Sequence, residues 1–184
     1  FLTKRHTKTD LAIIIVNYNT RDDLDACLES IRRSEGDFSC QAVVVDNDSE
    51  DGSVAMVQAK HPWVHRLIAN ERNGGYAYAN NKGFRALGFA TTRGERNDTP
   101  RYALLLNPDT ILPARALAKM LEYMETHPDV GVAGPKLVRQ DGSLDKACRR
   151  SFPSPTVPSY HMAALDRLFP NSRRLGPYNL TPLD

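Results

Sequence analysis

Three short apolar runs constrain the fold of this chain more than any other feature: Leu11 to Val16, Gln41 to Val45 and Tyr102 to Leu106. β-Branched residues dominate the first two and leucines the third, a composition that suits strands buried on both faces. Between them lie helical patterns. Leu24, Cys27, Leu28 and Ile31 recur at i, i+3, i+4 and i+7, as do Leu117, Met120, Leu121 and Met124. A weaker strand, Val64 to Ala69, precedes Asn73-Gly74-Gly75 and a helix running to about Leu87, and Val130 to Val138 reads as a further strand before an Asp141-Gly142 turn. Thr20, with Asp23 three positions on, and Ser49, before Glu50 and Asp51, read as helix N-caps. The order βαβαβαβαβ predicts an α/β domain with a mainly parallel sheet flanked by helices.

A length of 184 residues accommodates one well-cored domain plus a tail. We expect a polar, basic extension over 1–10, the α/β domain over 11–150, and a segment over 151–184 in which six prolines, from Pro153 to Pro182, leave only a short helical candidate at His161 to Leu168. The 24 basic residues against 22 acidic ones provide no cationic stripe for a phosphate backbone, which argues against nucleic acid as a partner. Cys27, Cys40 and Cys148 are odd in number and show no zinc or disulfide spacing, a usage that fits a reducing, cytoplasmic setting. No apolar run reaches the roughly 18 residues of a membrane span, although docking at the inner face of a membrane stays open.

Open parallel sheets bind ligands beyond the carboxyl ends of their strands. Here those ends are polar: Asn17-Tyr18-Asn19-Thr20, Asp46-Asn47-Asp48-Ser49-Glu50-Asp51-Gly52, Asn73-Gly74-Gly75 and Asn107-Pro108-Asp109-Thr110. Any one of these is ordinary turn chemistry, and only their convergence on one edge makes a site. Tyr18 stands where a planar base could stack. Glycines before a helix let backbone amides approach phosphate, and a carboxylate after a buried strand, as at Asp109, can present a hard oxygen to a cation bound by a diphosphate.

These strings, from Ile13-Ile14-Ile15-Val16-Asn17-Tyr18-Asn19, through Val44-Val45-Asp46-Asn47-Asp48-Ser49 and Asn73-Gly74-Gly75-Tyr76-Ala77 to Leu106-Asn107-Pro108-Asp109-Thr110, resemble glycosyltransferase family 2 of the GT-A fold, and most of all its rhamnosyltransferase-like branch. The resemblance covers about residues 11 to 150. It implies a Rossmann-like GT-A sheet and the transfer of a sugar from a nucleotide diphosphate sugar, by inversion and with dTDP-rhamnose as a candidate donor, to a glycan or lipid-linked acceptor in cell-wall or polysaccharide biosynthesis. It also implies donor-binding roles for Val16, Asn17, Tyr18, Asn19, Asp46, Asn47, Asn73, Gly74, Asn80, Asn107 and Asp109. Asn17, Tyr18 and Asn19 would line base and ribose, the Asn47 amide oxygen would accept a pyrimidine imide N–H, and Asp46 would brace the loop. Asn107 and Asp109 occupy the DXD positions, and Asp109 would ligate Mg²⁺ or Mn²⁺.

This chain departs from the family pattern in three places. Asn107 carries no charge where the family usually has an acid, which implies weaker metal binding. Asn80 stands where many relatives carry arginine, leaving Arg72 or Lys82 to compensate. No Glu-Asp pair follows Asp109 to serve as catalytic base, and Asp141, Asp145, Asp166 and Asp184 have no good claim to that role. The base is therefore unassigned, and the chain reads as ending before the acceptor half of the family's domain. The alternative is a noncatalytic nucleotide-sugar-binding fragment of the same fold. A dehydrogenase would need GxGxxG after the first strand, a receiver domain an acidic pair there, and a nucleotidyltransferase a glycine-rich basic loop near its start; none is present.

Overall fold

The computed structural model describes residues 9–89, 99–139, 141–145 and 148, so residues 1–8 of the extension expected over 1–10, the 151–184 tail and the boundary expected at 150 lie outside the described residues. The chain divides between Tyr123 and Met124 into two compact units, which are taken separately.

In the first unit β1 (Leu11–Asn17), α1 (Arg21–Arg32), β2 (Cys40–Asp46), α2 (Ser53–Lys60), β3 (Arg66–Ala69), α3 (Tyr76–Ala86), β4 (Tyr102–Leu106) and the start of α4 (Ala116–Thr126) follow one another. The four strands form one parallel sheet in the order β3-β2-β1-β4, the α/β arrangement expected from the apolar runs. Strand order reverses beside β1, and in such sheets that reversal opens a crevice beyond the carboxyl edge. All seven residues of β1 are buried, because both faces of the strand are covered. Ile13, Ile15 and Val44 pack with Leu24, Cys27, Leu28 and Ile31 of α1 and with Met56 and Val57 of α2. Ala12, Ile14, Val16, Val43 and Val45 pack with Ala79 of α3 and with Leu87 just after it. α3 lies so close that a Cβ on Gly83 would stand 2.6 Å from Ile14 Cγ2. Truncating a side chain such as Ile13, which has no exposed surface, costs about 2 to 5 kcal/mol.

Both expected caps differ in detail. Thr20 occupies the N-cap position of α1, but its hydroxyl donates to Asn17 Oδ1 at 2.7 Å and makes no cap bond. Ser49 does not cap α2. That helix starts after Gly52, whose φ of +82° suits a residue without a Cβ, while Asp51 Oδ1 accepts the Ser53 amide at 3.0 Å. Ser49 Oγ is instead taken up by the carboxyl edge, as described below.

In the second unit the Asp141-Gly142 turn forms: Gly142 N donates to Arg139 O, and an antiparallel bridge joins Val138 to Leu144. The strand expected over 130–138 does not form; only that bridge is paired, and Val132 is 91% exposed. Gly131, Gly134 and Pro135 account for this, since two residues without side chains to pack and one without an N–H disfavour a ladder. No helix among the described residues is long and apolar enough to cross a membrane.

Candidate functional site

The ends of β1, β2 and β3 are tied together by side-chain amides. Asn17, fully buried, donates from Nδ2 to Asp46 Oδ2 at 2.8 Å and to Ser49 Oγ at 3.1 Å. Asp46 Oδ1 accepts the Ser49 amide at 2.9 Å, so one carboxylate braces two strand ends and the loop after them. The Asn47 amide donates to Asn17 O at 2.8 Å. Its side chain turns inward: Oδ1 accepts Asn70 Nδ2 at 2.8 Å, and Nδ2 donates to Gly75 O at 3.3 Å. Asn70, in turn, accepts Lys82 Nζ at 2.7 Å, and the Lys82 ammonium lies 5.0 Å from the centre of the Tyr78 ring. A continuous polar lattice thus runs from β1 to α3. Burying these groups is tolerable because they satisfy one another.

The lattice sorts the candidate residues. Val16 contributes only backbone to the edge, since its side chain belongs to the core on the α3 face. Asn17, Asp46 and Asn47 stand behind the surface at no more than 2% exposure. Asn47 Oδ1, expected to accept a base imide N–H, here accepts Asn70 Nδ2 in a residue only 2% exposed. The groups facing solvent are Tyr18, 50% exposed, and Asn19, held at φ +53°, a left-handed conformation that asparagine tolerates. Asn19 accepts the Glu50 amide through Oδ1 at 2.8 Å and donates its own amide to Ser49 Oγ at 2.9 Å.

Asn73 Oδ1 accepts the Gly75 amide at 2.9 Å and shapes the entry to α3. Gly75 holds φ +84°, and the Tyr78 ring lies so near Gly74 that a Cβ there would meet it at 2.2 Å. The left-handed turn thus favours glycine at 75, and a side chain at 74 would require the Tyr78 ring to move. Asn80, buried on α3, donates from Nδ2 to Tyr76 O at 3.0 Å, while its Oδ1 has no hydrogen-bond partner among the described residues.

Across the reversal point, the register Ile15↔Leu106 brings the residues after β4 level with the end of β1. Asn107 and Asp109 are exposed, and Thr110 N closes the turn on Asn107 O at 3.2 Å. The same carbonyl accepts the Cys27 thiol at 3.7 Å. Burial, helped by the Asp109 carboxylate, pushes that thiol up to about 12, so it keeps its proton. No group of three or more His, Cys, Asp or Glu side chains suited to a metal occurs among the described residues. One exposed carboxylate beside an exposed amide nevertheless fits a hard cation whose remaining ligands come from a diphosphate and water. Of the acids beyond it, Asp145 pairs with Arg139 at 3.7 Å and Asp141 is lowered by the hydroxyl and amide of Ser143. Asp166 and Asp184 lie outside the described residues.

Sequence reasoning passed over Asn70, Tyr78 and Ser30, weighed Lys82 only as a stand-in for the cation missing at Asn80, and gave Tyr76 no role beyond its place in the motif. Asn70 had a signal, because it follows Ala69 as Asn47 follows β2 and Asn107 follows β4. Tyr76 and Tyr78, 53% and 37% exposed, stand at the start of α3 as Tyr18 stands at the end of β1.

The family model described as Glycosyl transferase family 2 matches residues 12–172. The succinoglycan biosynthesis protein ExoO of Rhizobium meliloti (strain 1021) is 34% identical over 113 residues, covering 61% of this chain and 29% of that protein. The uncharacterized glycosyltransferase YfnE of Bacillus subtilis (strain 168) is 30% identical over 127 residues, 67% of this chain and 29% of its own length. The chain therefore spans less than a third of the curated relatives it matches. Among solved structures, the mannosyltransferase PcManGT of Pyrobaculum calidifontis, in complex with GDP-Man and Mn²⁺, superposes with a TM-score of 0.53 at 22% identity, over 72% of this chain and 36% of that one. S. aureus TarS 1-349 in complex with UDP-GlcNAc gives a TM-score of 0.53 at 16% identity, over 73% and 42%. These likenesses show the fold.

Proposed function

The chain belongs to glycosyl transferase family 2, and from that premise we propose that it binds a nucleotide diphosphate sugar across the β1/β4 crevice, with Mg²⁺ or Mn²⁺ at Asp109, for transfer of the sugar to a glycan or lipid-linked acceptor. One observation carries the reading. At the point where strand order reverses, an exposed aromatic and amide, Tyr18 and Asn19, stand level with an exposed carboxylate and amide, Asp109 and Asn107.

Each group has a task suited to its chemistry. Tyr18 presents a ring face to the base, and Tyr76 and Tyr78 are two further exposed rings at the entry to α3. Asn19 and Asn107 offer amides to ribose hydroxyls. Asn17, Asp46, Asn47 and Asn70 fix the loops from behind, so the ligand meets a surface already in place. When bound, the cation offsets charge on the departing diphosphate, and Asp109 supplies its protein oxygen. The donor is drawn from UDP, GDP and dTDP sugars. GDP-Man and UDP-GlcNAc occupy the structural neighbours, and dTDP-rhamnose rests on the branch resemblance. The name of the Rhizobium relative supports a setting in polysaccharide biosynthesis.

The test is thermal unfolding against UDP, dTDP and GDP sugars, each with and without Mn²⁺. A ligand specific for the folded state raises the midpoint, so at least one donor should do so in a metal-dependent manner. A flat response across the whole panel overturns the reading.

A further inference from the structure

The segment that carries Asp109 is attached to a helix that sequence patterning marks only as core. Asn107 O accepts the Cys27 thiol, and five residues later Leu112 N donates to Ser30 Oγ at 3.1 Å. Ser30 Oγ spends its own proton on Cys27 O at 2.7 Å, which leaves its lone pairs free for Leu112. Farther along, Glu35 N donates to Ala114 O at 2.6 Å. Cys27 and Ser30 are buried, whereas between the two anchored positions Asp109 is exposed and Ile111 is 61% exposed. One helix therefore grips both ends of a short loop whose middle faces solvent.

We propose that Cys27 and Ser30 are positioning residues for the Asn107–Asp109 turn, clamping it from α1 so that the Asp109 carboxylate is held ready for a cation. The proposal rests on Asp109 being the metal ligand. Ser30 carries the larger share. An O–H is a better hydrogen-bonding group than a thiol, and removing it strands the Leu112 N–H. Partners that orient a ligand act on the metal even though they never touch it.

The experiment measures Mn²⁺ affinity in the presence of UDP, GDP or dTDP, together with amide hydrogen exchange at Thr110 and Leu112. Ser30→Ala should weaken Mn²⁺ binding by roughly tenfold and speed exchange at Leu112, and Cys27→Ala should do less of both. Ser30→Thr, which keeps the hydroxyl, should restore both readouts. Leu28→Ala, a core truncation on the same helix, should lower the unfolding midpoint without a selective loss of Mn²⁺ affinity. If Ser30→Ala changes only the midpoint, as Leu28→Ala does, the positioning role is overturned. Asp109→Ala separates the two levels. Mn²⁺ dependence that survives this change removes the metal reading and the clamp's purpose with it. Dependence lost in Asp109→Ala but intact in Ser30→Ala overturns the clamp alone.

Discussion

The two sides of the crevice are built on opposite terms. On the β1–β2–β3 side, Asn17, Asp46, Asn47 and Asn70 are buried and hydrogen-bonded to one another or to neighbouring loops. On the β4 side, Asn107 and Asp109 are exposed, and the turn is held by its own Thr110 amide and by α1. The first side spends its polar groups on itself and gains a fixed shape. The second leaves its groups unspent and gains a ligand-ready carboxylate. Stability and binding should therefore respond to different mutations.

The largest effect expected is on the buried side. Asp46→Ala strands Asn17 Nδ2 and the Ser49 amide together. Because hydrogen bonds to a charged group are the strong ones, the loss should be about 3 kcal/mol in denaturant unfolding. A loss below about 0.5 kcal/mol, the range of an ordinary surface change, would erase the contrast between the two sides.

Asp109→Ala is the mirror experiment. Unfolding stability should stay within about 0.5 kcal/mol of the parent, as for a surface substitution away from structural features. Metal-dependent nucleotide affinity, measured by calorimetry with and without Mn²⁺, should fall by at least about tenfold, equivalent to roughly 1.4 kcal/mol. Retained metal dependence would remove the assignment of Asp109.

Legibility in the sequence followed the same division. Strands β1 and β2 announced themselves because a strand covered on both faces needs an unbroken apolar run, and α1 because its buried stripe is periodic; β4 has the same kind of run but was expected to be covered on both faces, whereas Ala103 and Leu105 are exposed. The polar strand ends marked the candidate site. What they could not convey was direction, since Asn17 and Asn19 look alike as letters while one is buried and the other exposed. Whether an amide faces a ligand or a neighbouring loop is decided by partners distant in the chain, such as Asn70 for Asn47. Ser49 read as a cap for the same reason: the donors that claim its hydroxyl oxygen, Asn17 Nδ2 and the Asn19 amide, lie about thirty residues away. The strand expected over 130–138 failed locally, because apolar spacing was weighed above two glycines and a proline.

A middle-sized effect would sharpen the comparison. Asn70→Ala removes the donor to Asn47 Oδ1 and the acceptor of Lys82 Nζ, so a buried oxygen loses its partner, at a cost of about 1 kcal/mol. The freed Asn47 oxygen should then discriminate between bases. In the parent, UDP and CDP should bind alike; in the variant, UDP, whose imide can donate, should gain on CDP, whose corresponding nitrogen accepts. Discrimination already present in the parent would mean that the lattice opens when the nucleotide binds.

The smallest effect concerns pH and again touches only the self-bonded side. Burial alone would raise the Asp51 carboxyl, but hydrogen bonds from the Ser53 hydroxyl and amide and from the Arg21 amide outweigh it and hold the group below its ordinary value of 3.8. A folded-state value below the unfolded one means that the contribution is present at and above ordinary carboxylate pH. It is lost as pH falls through the depressed value, because the unfolded chain then binds the proton first. The group is partly open to solvent, so the amount is about 0.5 kcal/mol. Below pH 4 the parent should lose this increment, and Asp51→Asn, which cannot ionise, should show a shallower acid limb in unfolding free energy against pH. If Asp51→Asn leaves the acid limb as steep as in the parent, the hydrogen bonds from Ser53 and Arg21 contribute nothing to stability, and the self-bonded wall owes its fixed shape to packing rather than to its polar groups.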